Sequence, residues 1–320
     1  DHPSPDRLDV PPMSGEPGVH RSDRPALVPE GGHALIVTSC YPPRPGGSST
    51  VMYNLLSRFS PDSYLVATAE NNRPNAHAFE LEDNVLRVLR QPRVRGPLRR
   101  RAIARQRARL VPTLRSVIER HDVSVVVGVY PDLDFLEAGL DAASTAGVPF
   151  VAYLHDAPIE VEATGANARR AVDVQARVLT GSAHVFVMSE GMRGLFRETY
   201  GAETTALEHT FPELHDPPVV DPTTVEVRGQ AFWGGQVHGT NTQGYLRFVD
   251  ACASLGVPLV TTATACSPDP DRSYDHVEPV SHPTRDAYRS ALAEQGALVV
   301  AIDWPDESPM DAGEVLTVFP

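Results

Sequence analysis

The chain alternates short apolar segments with segments of helical periodicity, and this alternation limits its possible folds more than any other feature. The apolar segments are continuous and β-branched, as at 123–129, which is typical of parallel strands buried on both faces. We therefore predict an α/β fold in which helices cover both faces of a doubly wound sheet. Strands are predicted at 34–38, 63–67, 85–89, 123–129, 149–154 and 184–188, and helices at 47–59, 98–120, 133–146, 166–180 and 190–200.

The alternation predicts two domains, with a proline-rich linker at 211–225 between them. The N-terminal domain spans 31–210 and follows residues 1–30, whose content of Pro, Asp, Ser and Gly without apolar periodicity predicts a disordered lead-in. The second domain, 226–320, is short for a doubly wound domain, so we expect it to be incomplete. Its predicted strands are 230–234, 257–262, 275–280 and 297–302, and its predicted helices are 242–255 and 284–295.

Composition excludes several classes of function. A net charge of −13 disfavours nucleic acid as a partner, because a polyanion is repelled on average. No apolar run is long enough for a transmembrane helix, and the first residues carry no signal sequence. Three cysteines without short spacing favour a reducing cytoplasm over a disulfide framework. The acidic residues within 303–314 are better explained by a solvated loop than by a metal site.

One segment departs strongly from the acidic average. Residues 87–109 contain ten arginines and no acid, although the whole chain has 28 basic residues and no lysine. Apolar residues such as Leu98 and Ile103 recur there at helical spacing, and Pro112 is a candidate kink. A basic amphipathic helix binds anionic lipid or another polyanion, and the plain alternative is a solvated helix face. The candidate membrane or acceptor patch is Arg99, Arg100, Arg101 and Arg105.

Two pairs of glycines follow predicted strands. Gly46-Gly47 comes after the first strand, and Gly234-Gly235 lies at the end of the strand at 230–234. Ligands of open α/β sheets bind outside the carboxyl ends of strands, where glycine permits close backbone approach and a helix N-terminus offers unpaired N–H groups. The alternative is a plain turn at each place, with the following helix capped by Ser48 or Ser49 in the first case and by Thr240 or Asn241 in the second. No Gly-x-Gly-x-x-Gly dinucleotide fingerprint is present.

Two further polar pairs follow predicted strands. His155-Asp156 comes after the strand at 149–154, where His155 could bond a substrate hydroxyl or act as an acid or base. The alternative is an interior histidine followed by a capping aspartate. Ser189-Glu190 comes after the strand at 184–188, and there a helix cap at Ser189 is the favoured interpretation.

Taken in order, four of these segments resemble the retaining nucleotide-sugar glycosyltransferases of the GT-B fold, family-four type. The first is the Pro-Pro-x-x-Gly-Gly loop at 42–47. The second is Ala-Gly-Val-Pro at 146–149 leading into the strand that ends at His155-Asp156. The third is 182–192, with Tyr200-Gly201 farther on, and the fourth is Trp-Gly-Gly at 233–235.

The resemblance implies two Rossmann-like domains that face a cleft, with the acceptor bound by the first and the donor by the second. Gly46 and Gly47 would line the donor phosphates and the transferred sugar, and His155, as the catalytic residue, would contact the sugar near its reacting carbon. The other implied site residues are Asp156 and Glu190 for the substrate and Gly235, Gln236 and Asn241 for the donor diphosphate.

The expected function is transfer of a sugar, with retention and without metal or another cofactor, from a nucleotide diphosphate sugar to a glycan or lipid-linked acceptor. We expect the protein to act in the cytoplasm, at the inner face of the plasma membrane, on cell-envelope polysaccharide. Members of the family commonly bind the diphosphate with an Arg and a Lys, but this chain has Gln236 at the position of the Arg and contains no lysine. The Glu with which the family binds the ribose of the donor would fall beyond Pro320. The alternatives are therefore a GT-B nucleotide-sugar epimerase and a non-catalytic relative that binds sugar nucleotides.

Overall fold

The computed structural model describes most of the first predicted domain and parts of the second. The described residues are 26–28, 32–42, 47–70, 84–89, 97–159, 168–208, 231–233, 242–262, 277–280, 298–302 and 315–319. The predicted linker and the predicted boundaries at 31, 211 and 226 lie outside them. Residues 26–28 fall within the predicted disordered lead-in but pack on the fold, because Val28 is buried and the Leu27 N–H donates to Ser63 Oγ at 2.9 Å.

The first sheet has seven described strands, all of which run parallel. Across the sheet the order is β3-β2-β1-β4-β5-β6-β7, so the chain moves outward from β1 to β3 and then returns to β4 on the other side of β1. Ligands of open sheets bind at such a switch point, outside the carboxyl ends of the strands. The strands are β1 (His33–Val37), β2 (Tyr64–Ala69), β3 (Val85–Leu89), β4 (Val123–Tyr130), β5 (Phe150–Leu154), β6 (His184–Val187) and β7 (Thr205–Ala206).

Helices connect these strands as predicted for a doubly wound domain. The helix α4 (Leu133–Ala146) has a clear cap at each end: the Asp132 side chain accepts two N–H bonds at its start, and Gly147 ends it in the left-handed conformation. The helices are α1 (Gly47–Leu56), α2 (Pro97–Ala108), α3 (Leu110–Arg120), α4 (Leu133–Ala146), α5 (Ala168–Gly181), α6 (Glu190–Tyr200) and α7 (Thr242–Leu255).

The single helix predicted at 98–120 is two helices, and this is a correction. The break falls at Arg109, three residues before the Pro112 that we expected to kink the helix. A proline ring clashes with the carbonyl four residues earlier, which here belongs to Ala108, the last residue of α2. Pro112 itself lies in the first turn of α3, where no intrahelical N–H bond is needed.

The two faces of the first sheet bury separate apolar clusters. On one face, which we call the α4 face, strand residues such as Val37 pack with Leu136 of α4 and with residues of α3 and α5. On the other, the α1 face, strand residues such as Ile36 pack with Met52 of α1. Side chains alternate between these faces along each strand, so sequence parity assigns every strand residue to one of them.

The second sheet has five described strands in the order β10-β9-β8-β11-β12. The first four pair in parallel, and β12 is antiparallel to β11. Neither β7 nor β12 was among the predicted strands. The switch point of this sheet lies between β8 and β11, at the carboxyl end of β8. The strands are β8 (Ala231–Trp233), β9 (Leu259–Thr262), β10 (Val277–Val280), β11 (Leu298–Ile302) and β12 (Val315–Phe319).

Candidate functional site

His155 lies at the carboxyl edge of the first sheet, next to the switch point. The last residue of β5, Leu154, pairs with Tyr130 at the end of β4, so His155 leaves the sheet beside the strand that borders the crevice. The His155 side chain is buried, and its ring meets Tyr153 edge-on with 4.5 Å between ring centroids. Its predicted neighbour in the site, Asp156, is half-buried. A buried imidazole at this edge can bond a sugar hydroxyl or transfer a proton.

The strand end that carries His155 is held by Tyr153. The Tyr153 hydroxyl donates to the Leu207 carbonyl at 3.1 Å, and the Leu207 N–H donates to the Val187 carbonyl at 2.7 Å. Burial raises the pKa of Tyr153 well above its ordinary value, so this hydroxyl stays a neutral donor. The contact fixes β5 relative to the edge of the sheet and thereby fixes the position of His155.

Gly47 is the first residue of α1, which follows β1 on the other side of the switch point. It is exposed, and a Cβ added there would meet nothing within 4 Å, so packing does not demand glycine. A residue without Cβ at a helix start leaves the backbone open to a ligand. Ser48 and Ser49 lie inside the first turn of α1, so neither is the cap that the plain alternative required, and Gly46 lies outside the described residues.

Glu190 is held by a local structure that needs no ligand. Ser189 caps α6 by accepting the Met192 N–H at 3.1 Å, as the favoured interpretation predicted. Glu190, the first residue of α6, forms an ion pair with Arg193 at 2.7 Å, and both side chains are exposed. The substrate role of Glu190 stays a prediction.

A row of polar residues on the α1 face was missed by the sequence analysis. Thr68 on β2 is in register with Arg87 on β3, and the Thr38 N–H, just after β1, donates to the Ala67 carbonyl. All three residues share the parity of strand residues that pack on the α1 face, such as Ile36. We call Thr38, Thr68 and Arg87 the polar row. They lie 19 to 49 positions apart in sequence, so only the strand register brings them together.

The predicted donor-diphosphate residues Gly235, Gln236 and Asn241 lie outside the described residues. The described chain places the end of β8 at Trp233, so the glycine pair follows a strand that borders the switch point of the second sheet. Trp233 packs edge-on against Tyr245 of α7, with 4.9 Å between ring centroids. This cluster anchors α7 on the strand that leads into the predicted donor loop.

Two of the four arginines of the predicted patch can be located with their side chains. Arg101 and Arg105 of α2 are exposed and form no ion pair with any described residue. Arg99 and Arg100 belong to α2, but their side chains lie outside the description. The Leu98 side chain is 61% exposed, so α2 does not bury it as an amphipathic helix would. Exposed cations beside an exposed leucine form a surface suited to an anionic lipid headgroup.

Other arginines on the α4 face are paired with carboxylates. Arg170 of α5 reaches Asp134 at 2.6 Å and Glu137 at 2.7 Å, and Arg177 reaches Glu137 and Asp141. Burial alone would lower the pKa of Arg170, but its hydrogen bonds to Glu137 and Asp134 outweigh this effect and raise the pKa. These ion pairs bind α5 to α4.

Within the described ranges, no helix is long and apolar enough to cross a membrane. No group of three or more His, Cys, Asp or Glu side chains in those ranges is arranged to hold a metal ion.

Residues 26–208 match the family model described as the glycosyl transferase 4-like domain. The match covers more than half of the 320 residues and contains the whole first sheet with His155 and Gly47. No curated protein matches the chain in sequence.

Several solved glycosyltransferase structures share the fold. Sucrose-phosphate synthase from Thermosynechococcus elongatus has a TM-score of 0.56 at 14% identity and covers 83% of this chain and 73% of its own. HepE from Anabaena, solved with UDP and glucose, has a TM-score of 0.52 at 16% identity with the same coverage. The lipopolysaccharide outer core galactosyltransferase WaaB has a TM-score of 0.50 at 13% identity and covers 82% of this chain and 71% of its own. The prediction of a GT-B α/β fold is confirmed.

Proposed function

The chain belongs to the family of the glycosyl transferase 4-like domain, and from this premise we propose that it transfers a sugar from a nucleotide diphosphate sugar to a glycan or lipid-linked acceptor, with retention. The observation that carries the proposal is the position of His155. It is buried at the carboxyl edge of the sheet, beside the switch point, within the segment that matches the family.

The chemistry needs stabilisation of the leaving group more than it needs a protein nucleophile. When the nucleoside diphosphate departs, negative charge builds on its phosphate oxygens, and N–H dipoles at a helix start stabilise that charge. The open backbone at Gly47 supports such a role for α1. His155 would hold a hydroxyl of the sugar near the reacting carbon, with Asp156 beside it. Attack on the same face, with the leaving phosphate as base, gives retention without metal or another cofactor.

The donor we would test first is a UDP-sugar. HepE, which shares the fold, was solved with UDP and glucose and also with UDP-glucose, at TM-scores of 0.52 and 0.50. Gly235, Gln236 and Asn241 follow β8 and are the proposed contacts of the diphosphate. Since Gln236 stands where family members commonly have a cation, we expect weaker stabilisation of the leaving group and slow turnover.

Donor turnover tests the proposal. The purified chain would be incubated with UDP-glucose, UDP-galactose and UDP-N-acetylglucosamine, with and without EDTA, and UDP release would be measured. We expect UDP release that EDTA does not reduce. A His155→Ala preparation purified in parallel controls for contaminating enzymes, and the anomeric configuration of any transferred sugar, read by NMR, reports retention.

Two other outcomes would replace the proposal. Exchange between epimeric UDP-sugars without UDP release would indicate an epimerase. Binding of UDP without any turnover would indicate a non-catalytic relative, for which the absent Arg and Lys provide a physical reason.

We also propose that α2 docks the protein on the inner face of the plasma membrane. Arg101 and Arg105, exposed and without an ion pair to any described residue, together with the exposed Leu98, support this. Flotation with liposomes that contain anionic lipid would recover the wild type, and Arg101→Gln with Arg105→Gln would reduce recovery. Arg193→Gln with Arg197→Gln, on α6, removes the same charge elsewhere and should not. Flotation that does not depend on anionic lipid would contradict the proposed docking of α2 on the membrane.

A further inference from the structure

The polar row contains two buried groups that no described residue satisfies. The Thr68 side chain is fully buried, and its Oγ1 has no hydrogen-bond partner in the described part of the chain. The Arg87 side chain is half-buried, and its Nη1, which is shielded from solvent, has none there either. Because Thr68 and Arg87 are in register on adjacent parallel strands, both side chains leave the sheet on the α1 face at the same level.

Leaving these groups unsatisfied is costly, so their position needs an explanation. A buried donor without an acceptor destabilises the folded state, and a charged donor does so more strongly. The sheet has not simply frayed at this point, because the Glu70 N–H still donates to the Leu89 carbonyl at 2.6 Å beyond both residues. The orphaned groups therefore belong to the ordered end of the strand pair.

Their place in the fold points to a ligand rather than to the scaffold. Thr68 is the next-to-last residue of β2, and the pairing register places Arg87 of β3 at the same level, near the edge at which open sheets bind ligands. Thr38 extends the row to β1, from which the chain runs toward the start of α1 at Gly47. A guanidinium with neighbouring hydroxyl groups is a donor set that matches an oxyanion.

We propose that Arg87 and Thr68 bind an oxyanion carried by the acceptor, either a phosphate or a carboxylate. The inference rests on the proposed glycosyltransferase function and narrows it, because it makes the acceptor an anionic molecule. Arg87 and Thr68 are positioning residues in this proposal: they hold the charged part of the acceptor while the reacting hydroxyl faces the crevice at His155.

The test measures oxyanion binding by the full 320-residue chain. Isothermal titration calorimetry would compare inorganic phosphate, acetate and chloride at constant ionic strength, with circular dichroism to establish folding. We expect phosphate or acetate to bind the wild type, and whichever binds identifies the class of acceptor. Arg87→Gln should weaken that binding by about tenfold or more, and Thr68→Val by about threefold, as expected for a charged and a neutral hydrogen bond.

Matched variants separate this effect from a general loss of charge. Arg58→Gln removes an exposed arginine just beyond the opposite end of α1 and should leave oxyanion binding unchanged. Arg87→Lys keeps the charge but loses the planar fork, so its affinity should fall between those of wild type and Arg87→Gln. If Arg87→Gln does not fold, Arg87→Lys and Thr68→Val carry the test.

Three results would overturn the inference: no oxyanion binding to the wild type, equal binding to Arg87→Gln and wild type, or displacement of the bound oxyanion by UDP, which would assign the site to the donor.

UDP binding and turnover, measured on the same preparations, distinguish the two proposals. Intact UDP turnover with oxyanion binding that ignores Arg87 refutes only the anionic acceptor. Oxyanion binding that depends on Arg87 without any UDP binding or turnover refutes the glycosyltransferase proposal, on which the acceptor role rests.

Discussion

The ion pairs of the α4 face and the polar row of the α1 face differ in whether their polar groups have partners. On the α4 face, Asp134, Glu137 and Asp141 are matched by arginines of α2 and α5 within hydrogen-bonding distance. On the α1 face, the buried Thr68 Oγ1 and the Nη1 of the half-buried Arg87 have no hydrogen-bond partner among the described residues. Polar groups that satisfy one another bind the scaffold together, whereas polar groups held ready at the ligand edge cost stability and indicate function. Whether a charged group has a partner, rather than whether it is present, therefore distinguishes a role in the scaffold from a role in binding a ligand.

The largest expected effect on stability is on the α4 face. Leu136 of α4 is fully buried and so closely packed that a Cβ at Gly128 would lie 3.2 Å from its Cδ1. Leu136→Ala should lower the free energy of unfolding by about 2–5 kcal/mol, through lost burial and an unfilled cavity. Urea unfolding followed by circular dichroism measures this, because both tryptophans lie beyond residue 230 and would not report on this sheet.

The same variant tests whether the α4 face is only a scaffold. Well below its unfolding midpoint, Leu136→Ala should keep the wild-type KM for the donor. A change of several-fold in KM, with circular dichroism showing full folding, would mean that packing on this face reaches the site.

The next effect is on activity and concerns His155, which has the parity of Tyr153, a member of the α1-face cluster. His155→Ala should lower donor turnover by about 100-fold, the loss expected when one preorganised hydrogen-bond partner of the transition state is removed. Leu56→Ala of α1, which removes buried volume from the same face, is the matched control and should act on stability instead. Unchanged turnover in a folded His155→Ala protein would refute the role of His155.

The helices and longer strands of the first domain could be predicted because the sequence signals for them are local. A cap at each end places α4 at 133–146 and α6 at 190–200, and both helices have the predicted bounds. The β-branched runs predict the longer strands for the same reason. The single helix predicted at 98–120 is broken at Arg109 rather than at Pro112, because the proline ring acts on the carbonyl four residues upstream. The strand β7, with two residues, is too short for a periodic signal.

The candidate site was only partly predictable. His155 and Gly47 directly follow apolar segments, so their place at the carboxyl edge could be inferred from the chain alone. The polar row carries no motif: Thr68 and Arg87 meet because β2 and β3 pair in one register, and a shift of one residue would put Arg87 on the α4 face. Contacts that depend on register need the three-dimensional structure.

A smaller effect on stability should come from the paired charges. Asp134, whose side chain is 14% exposed, accepts from Arg107 and Arg170 at 2.6 Å. Asp134→Asn should lower the free energy of unfolding by about 1–2 kcal/mol, since hydrogen bonds to charged groups exceed neutral ones in strength. Glu119→Gln, which breaks the exposed ion pair with Arg115, is the control and should cost no more than about 0.5 kcal/mol. If the two variants lose the same free energy of unfolding, then the ion pairs of Asp134 stabilise the fold no more than one exposed ion pair does.

The smallest expected effect on stability comes from two hydroxyl groups near the α1 face, one with hydrogen-bond partners and one without a described partner. Ser63, also buried near the α1 face, accepts the Leu27 N–H at 2.9 Å and donates to the Ser60 carbonyl at 2.6 Å. Ser63→Ala should therefore lower the free energy of unfolding by about 1 kcal/mol. Thr68→Val keeps the shape of a hydroxyl that no described residue satisfies, so stability should change by less than about 0.5 kcal/mol or increase. Urea unfolding of the two variants side by side measures the difference. If Thr68→Val loses as much stability as Ser63→Ala, then the Thr68 hydroxyl belongs to the scaffold, and the α1 face does not differ from the α4 face at this position.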